Sequence, residues 1–191
     1  EAASAVRGLY AYGTKPGWFA ASHAIASFSS RVASSMPLLS DARMVLLAPS
    51  TGAMSLHNPA HPWIFNVRAT YQREAEHLMR HLSMGGADRV IIVQVDDSFG
   101  NDAATGALKV CKDTGKQPAA HLRFDRSKPN FKPVVDTVLA TKPLSVLFIG
   151  SATAVADGVK AIRAADSLAT VGTLSNNASS GFVSRMGKDG A

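Results

Sequence analysis

From Thr70 onward the chain alternates between apolar residues spaced for helices and short, nearly unbroken apolar runs. Tyr71, Ala75, Leu78, Met79 and Leu82 fall on one stripe of a 3.6-residue period, which predicts an amphipathic helix over Thr70–Met84, ended by Gly85 and Gly86. Arg89–Val95 is an apolar, β-branched run of the kind that forms a parallel strand buried on both faces. Asp96–Asn101 punctuates it, and a helix is predicted to follow as far as Asp113, where Thr114 and Gly115 supply a C-cap. The same alternation continues with a strand at His121–Phe124, a loop at Asp125–Asn130, and a helix carrying Phe131, Val134, Val135, Val138 and Leu139 on one face up to Lys142-Pro143. A buried strand is predicted at Leu144–Ile149, and Gly150–Thr153 then turns into a helix bearing Val155, Val159 and Ile162. A short strand at Thr170–Gly172 and a last helix near Gly181–Met186 complete the series. Regular helix–strand alternation predicts right-handed βαβ units and a mostly parallel, doubly wound sheet covered on both faces.

The first sixty-odd residues follow a different plan. Gly8–Tyr12 reads as a strand, Gly13–Gly17 as a turn, Trp18–Ala33 as a helix, and Met44–Ala48 as a second strand closed by Pro49–Gly52. That is about one βαβ unit, which buries too little surface to stand alone and requires partner strands. Ile64–Val67 reads as a short strand-like link between the two blocks.

Composition narrows the functional classes. The fractions of hydrophobic residues, 46%, and of charged residues, 18%, are those of a globular protein. The net charge is +6. Its cations, among them Arg31, Arg43, Arg68, Arg89, Lys109, Lys142 and Lys160, are scattered and not interleaved with aromatics, so a solvated basic surface is favoured over nucleic-acid binding. The single cysteine, Cys111, lies in a helical apolar pattern and reads as a small buried hydrophobe. One cysteine excludes a disulfide scaffold and any multi-cysteine metal site. No apolar run is long enough to span a bilayer, and the chain does not begin with a signal-peptide pattern.

Enzyme signatures are weak. His77 and His81 stand four apart on a helix, but no Glu follows His77, so a solvated face is the better reading. His57 and His61 in a Pro-rich loop receive the same reading. The Asp96-Asp97 pair after a strand fits the acidic pocket of a receiver domain, but Gly150-Ser151 stands where that fold needs its phosphorylatable Asp. There is no Gly-x-Gly-x-x-Gly, no phosphate-binding loop and no Gly-x-Ser-x-Gly, and nothing pairs a nucleophile with a base. A flavodoxin-like α/β enzyme stays as an alternative that would need a cofactor loop. No enzyme activity, cofactor or metal is expected.

In open α/β sheets ligands bind beyond the carboxyl ends of the strands. That rule alone points to four loops: Gly13-Thr14, Ser50-Thr51-Gly52, Ser98-Phe99-Gly100 and Gly150-Ser151-Ala152. Backbone N–H groups at a helix N-terminus in such a loop would hold a carboxylate. Ser and Thr there are equally good helix caps.

An ordered set of motifs carries a resemblance. Ala48-Pro49-Ser50-Thr51-Gly52-Ala53 with Leu56, then His61–Ala69, then Asp96-Asp97-Ser98-Phe99-Gly100, then Phe131–Pro143 followed by Leu147-Phe148-Ile149-Gly150, are similar to successive motifs of one family. Over Gly8–Gly187 the chain resembles the type 1 periplasmic binding proteins of the branched-chain amino-acid transport class. The resemblance implies two doubly wound α/β lobes of the type I fold, of which the first is partial here. Residues 1–67 would be part of lobe 1 and residues 68–191 lobe 2. It implies a secreted, periplasmic protein, a monomer or weak dimer, that binds an amino acid or small carboxylate in an interlobe cleft and presents it to an ABC permease of the inner membrane. The same fold also serves as the ligand-binding domain of sensory receptors. The ligand contacts it implies are Ser50, Thr51 and Gly52 on lobe 1 and Phe99, Ser151, Ala152, Ser175 and Asn176 on lobe 2, and the strand-end rule adds Thr14. Members that bind amino acids commonly have a carboxylate near the last of these positions, whereas Leu174–Asn177 contains no acid. The first βα units of lobe 1 and the return crossing after Gly187 are not seen, so the chain is expected to be a piece of a longer protein.

Overall fold

A computed structural model describes residues 29–187. The strand expected at Gly8–Tyr12, the turn with Thr14 and most of the helix expected at Trp18–Ala33 lie outside the described residues. The chain divides into two compact units, one running through Thr70 and the other from Tyr71 onward.

In the first unit, helix α1 spans Ser29–Asp41, strand β1 spans Leu46–Leu47, a 3₁₀ turn spans Met54–Leu56, and strand β2 spans Ile64–Phe65. Helix α1 runs past Ala33, where the sequence pattern had placed its end, and passes through Pro37. Packing outweighs the local stop signal: Leu39 in the last turn is buried with Leu46, Leu56 and Ile64, and Met36, Met44 and Trp63 pack against that cluster. The segment read as a link is in fact a sheet partner, because Leu46 and Leu47 pair in parallel with Ile64 and Phe65.

The second unit comprises α2 (Tyr71–Leu82), β3 (Val90–Val95), α3 (Ser98–Thr114), β4 (Ala120–Phe124), α4 (Lys132–Thr141), β5 (Ser145–Ile149), α5 (Ala152–Ala164), β6 (Thr170–Thr173) and α6 (Ser180–Met186). Every strand pairing is parallel, in the order β4-β3-β5-β6. All residues of β3 and β5 are buried, as their unbroken apolar runs require. Helices α2 and α3 pack together and against the sheet. Ile91, Val93, Val95 and Phe148 form the core with Val134 and Val138 of α4, Val155, Val159 and Ile162 of α5, and Met186 of α6. Cys111 is buried, as expected of a small hydrophobe. Gly115 ends α3 in the left-handed conformation, with φ 67°, and its N–H bonds back into the last turn. Among the described residues no helix is long and apolar enough to cross a membrane.

The strand order places a topological switch point between β3 and β5. The chain leaves β3 through α3 towards β4 and leaves β5 through α5 towards β6. The loops after β3 and β5 therefore part in opposite directions, and it is outside the carboxyl ends of the strands at such a point that open α/β sheets bind ligands.

Candidate functional site

Two loops flank that switch point. After β3, Asp97 caps α3 by accepting a hydrogen bond from the Gly100 N–H at 3.0 Å. This tight turn requires glycine, because a β-carbon at Gly100 would stand 1.8 Å from the Val95 carbonyl oxygen. The turn presents Phe99, half-buried against the core, with its ring 4.8 Å from that of Tyr71 and nearly perpendicular to it. Such an edge-to-face pair holds both rings in a fixed orientation. After β5, Ser151 caps the 13-residue helix α5 by accepting from the Ala154 N–H at 3.4 Å, and Ala152 opens the helix.

The loop after β6 is tied to the loop after β5. The Gly150 carbonyl oxygen accepts hydrogen bonds from the side-chain amides of Asn176, at 3.1 Å, and Asn177, at 3.2 Å. Asn177 is fully buried and also donates to the Thr173 hydroxyl at 2.8 Å. Ser175 donates its N–H to Glu74 at 3.0 Å and its hydroxyl to the same carboxylate at 2.8 Å. Glu74 lies in the first turn of α2, so a residue 101 positions upstream supplies an acid to a loop whose own sequence has none.

The acids around the β3 and β4 loops are otherwise engaged. Asp96 pairs with Arg123 at 2.9 Å, and Asp97 pairs with Arg126 at 2.5 Å. Asp125 closes its own turn, accepting from the Ser127 hydroxyl and N–H and from the Lys128 N–H; the hydrogen bonds led by that from Ser127 hold its carboxyl below the usual carboxylate range. Below the loops, the fully buried Gln94 joins strands and helix. Its carbonyl oxygen lies 2.7 Å from His121 Nε2, and its amide donates to Asn101 at 2.8 Å. His121 is shifted below its ordinary value, first by burial and then by the charge of Arg123.

In the first unit, Ser50 is exposed, whereas Thr51 and Gly52 are buried. The Thr51 N–H bonds to the Pro49 carbonyl at 2.8 Å, and the Thr51 hydroxyl accepts from the Ala53 N–H at 3.3 Å. The loop leads into the three-residue 3₁₀ turn Met54–Leu56 rather than an α-helix, so the helix dipole expected to hold a carboxylate at this loop is not supplied there. His57 lies beyond, with its ring nitrogens 3.0 Å from the carbonyl oxygens of Ala53 and Arg68. His61 accepts from the Trp63 N–H at 3.2 Å. His77 and His81 are exposed on α2, and the described residues contain no group of three metal-ligating side chains.

The sequence model of the family described as "periplasmic binding protein" matches residues 20–191. The chain belongs to that family. Solved structures agree in fold. A substrate-binding periplasmic protein from Ralstonia solanacearum is 25% identical, with a TM-score of 0.70, over 92% of this chain and 49% of its own. A solute-binding protein of an ABC transporter from R. palustris, in complex with 4-hydroxybenzoate, is 17% identical, with a TM-score of 0.72, over 85% of this chain and 45% of its own. A branched-chain amino acid ABC transporter protein from Thermus thermophilus with bound valine is 15% identical, with a TM-score of 0.71, over 85% of this chain and 43% of its own. The chain thus spans about half the length of these relatives. No curated protein matches it.

Within this periplasmic binding protein, five of the residues singled out from sequence gather at one edge of the second unit. Phe99, Ser151 and Ala152 flank the switch point, and Ser175 and Asn176 sit on the adjoining β6 loop. Ser50, Thr51 and Gly52 belong to the first unit, and Thr14 lies outside the described residues. Two residues that sequence reasoning missed complete the second-unit loops. Asn177 was legible only as the neighbour of Asn176. Glu74 had no signal beyond being an acid in a first helical turn.

Proposed function

We propose that this chain is part of the extracytoplasmic solute-binding component of an ABC uptake system, taking a small organic ligand, an amino acid or small carboxylate, and delivering it to an inner-membrane permease. The observation that carries this reading is the topological switch point between β3 and β5, with Phe99 on one side and the Ser151 cap of α5 on the other. The capped N-terminus of α5 offers backbone N–H groups and a positive dipole end to an anionic group. Phe99 offers an apolar face. Ser175 and Asn176 stand on a loop whose position is fixed by the Gly150 carbonyl and by Glu74. Ser50, Thr51 and Gly52 are the lobe 1 contacts in this reading, with residues 1–67 as part of lobe 1 and 68–191 as lobe 2. Relatives of the same fold hold valine and 4-hydroxybenzoate, both small organic acids, which supports the ligand class.

The test is a thermal-shift screen of the full-length protein against amino acids and aromatic and aliphatic carboxylic acids. At least one chemical class is expected to raise the melting temperature. A flat response across the whole panel would falsify the binding reading.

A further inference from the structure

We propose that the amino edge of the second unit's sheet is a two-fold contact between copies of this chain. This goes beyond the solute-binding reading and does not depend on it.

The candidate site stands at the carboxyl ends of the strands. The opposite edge carries a groove of about 450 Å³, between the loop that joins α4 to β5 and the loop that joins α5 to β6. The buried Val138 and the exposed Leu139 and Leu144 line it. Leu168 also borders it and is 91% exposed. The α5–β6 loop imposes that exposure. Arg163 donates to the carbonyl oxygens on both sides of Leu168, that of Ser167 at 2.8 Å and that of Ala169 at 3.0 Å. The main chain is thus held while an apolar side chain stands in water. A lone exposed leucine needs no explanation, but one pinned beside an apolar groove marks a contact surface.

Charge says what the surface meets. Lys142 and Asp166 line the same groove with opposite charges, and neither side chain has an ion-pair or hydrogen-bond partner among the described residues. Both stand in the left-handed conformation, with φ 46° and 54°, where glycine is favoured. Charged side chains are therefore kept at positions that ordinarily shed them. An opposing surface must offer a leucine-sized knob, an apolar hollow and the two charges in reversed order. The same face turned about a two-fold axis offers all of these, because in such a contact residue i meets j and j meets i. Leu168 of each copy enters the groove of the other, and Lys142 of each meets Asp166 of the other. The face is far smaller than the roughly 20–30 residues a side of a standard interface, so the pair is weak and reversible. The candidate site lies on the other edge of the sheet, outside the contact.

The test is sedimentation equilibrium of the full-length protein from micromolar to millimolar concentration. A reversible monomer–dimer equilibrium is expected. Leu168→Asp is expected to raise the dissociation constant of the dimer about tenfold or more while leaving the melting temperature of the dilute protein unchanged, and Leu168→Ala to act more weakly in the same direction. Lys142→Glu and Asp166→Lys, each alone, are expected to prevent pairing, since each sets like charges across the axis twice. Mixed with one another, these two variants are expected to form a heterodimer, because every crossing pair then joins opposite charges. A protein that is monomeric at every concentration, a dimer indifferent to Leu168→Asp, or two charge variants that do not pair when mixed overturns the proposal. A monomer whose Leu168→Asp form no longer supports solute uptake assigns the face to the permease and overturns it too. A flat ligand screen, by contrast, removes the solute-binding reading and leaves this one standing.

Discussion

At Gly100 a β-carbon would stand 1.8 Å from a backbone oxygen of Val95 and 2.9 Å from the adjoining carbon, and neither atom can swing aside. Gly100→Ala is therefore expected to destabilise the protein by about 1–3 kcal/mol or more, as overpacking of a rigid site does, and to shift the turn that carries Phe99. Urea denaturation measures the first effect and ligand titration the second. His121 makes a different residue-scale case. Burial, helped by Arg123, holds its imidazole below the ordinary value of 6.5, so the unfolded chain takes up the proton more readily than the folded one. Its full contribution to stability is present above pH 6.5 and declines as the pH falls below that value. Melting temperatures between pH 7.5 and pH 5.5 are expected to show this decline, and His121→Gln is expected to flatten it.

At the scale of elements, α2 and α3 are joined by a solvent-facing network. Glu76 accepts from Arg80 at 2.8 Å and from Lys109 at 2.9 Å, and both cations also reach Asp113. Hydrogen bonds from Arg80 and then Lys109 bring the Glu76 carboxyl down to about 2 from 4.5. The network's contribution is thus complete above pH 4.5 and is lost as the pH falls through about 2. Glu76→Gln is expected to reduce the acid dependence of the melting temperature in that window, and added salt to weaken the unmodified protein more than the variant. Elements were also where the sequence was most readable. The runs of β3 and β5 identify themselves because strands buried on both faces carry no polar alternation, and α3 declares its ends through Asp97 and Gly115. The end of α1 lies beyond Ala33 because the burial of Leu39 against Leu46, Leu56 and Ile64, a tertiary effect, carries the helix through Pro37. The pairing of β1 with β2 was likewise hidden, since two-residue strands leave no periodic trace. The candidate site was legible as a set of strand-end loops but not as a set of contacts. Glu74 and Ser175 meet across 101 residues, and no local pattern marks that meeting.

At the scale of the whole molecule, the loops at the carboxyl edge of the second unit's sheet are tied by hydrogen bonds and ion pairs. The β3 loop is joined to strand β4 by Asp96–Arg123 and to the loop after it by Asp97–Arg126, and the β5 and β6 loops are joined by the amides of Asn176 and Asn177 on Gly150. Ordering such loops costs little on binding, so more of the contact energy reaches the affinity. A ligand present at a hundred times its dissociation constant is expected to stabilise the full-length protein by about 2.7 kcal/mol. Calorimetric melting over a ligand series checks this through the logarithmic rise with concentration. The clamp on Gly150 also bears on how the protein ages. Asparagine amides are thermolabile. Hydrolysis of the one at Asn177 would exchange a group with two donated bonds for a carboxylate that only accepts, facing the oxygens of Gly150 and Thr173. Burial shelters that amide from water. The lifetime of the tie between the β5 and β6 loops is therefore expected to depend on how rarely the β6 loop opens, and old preparations are expected to fail there while their sheet is still intact.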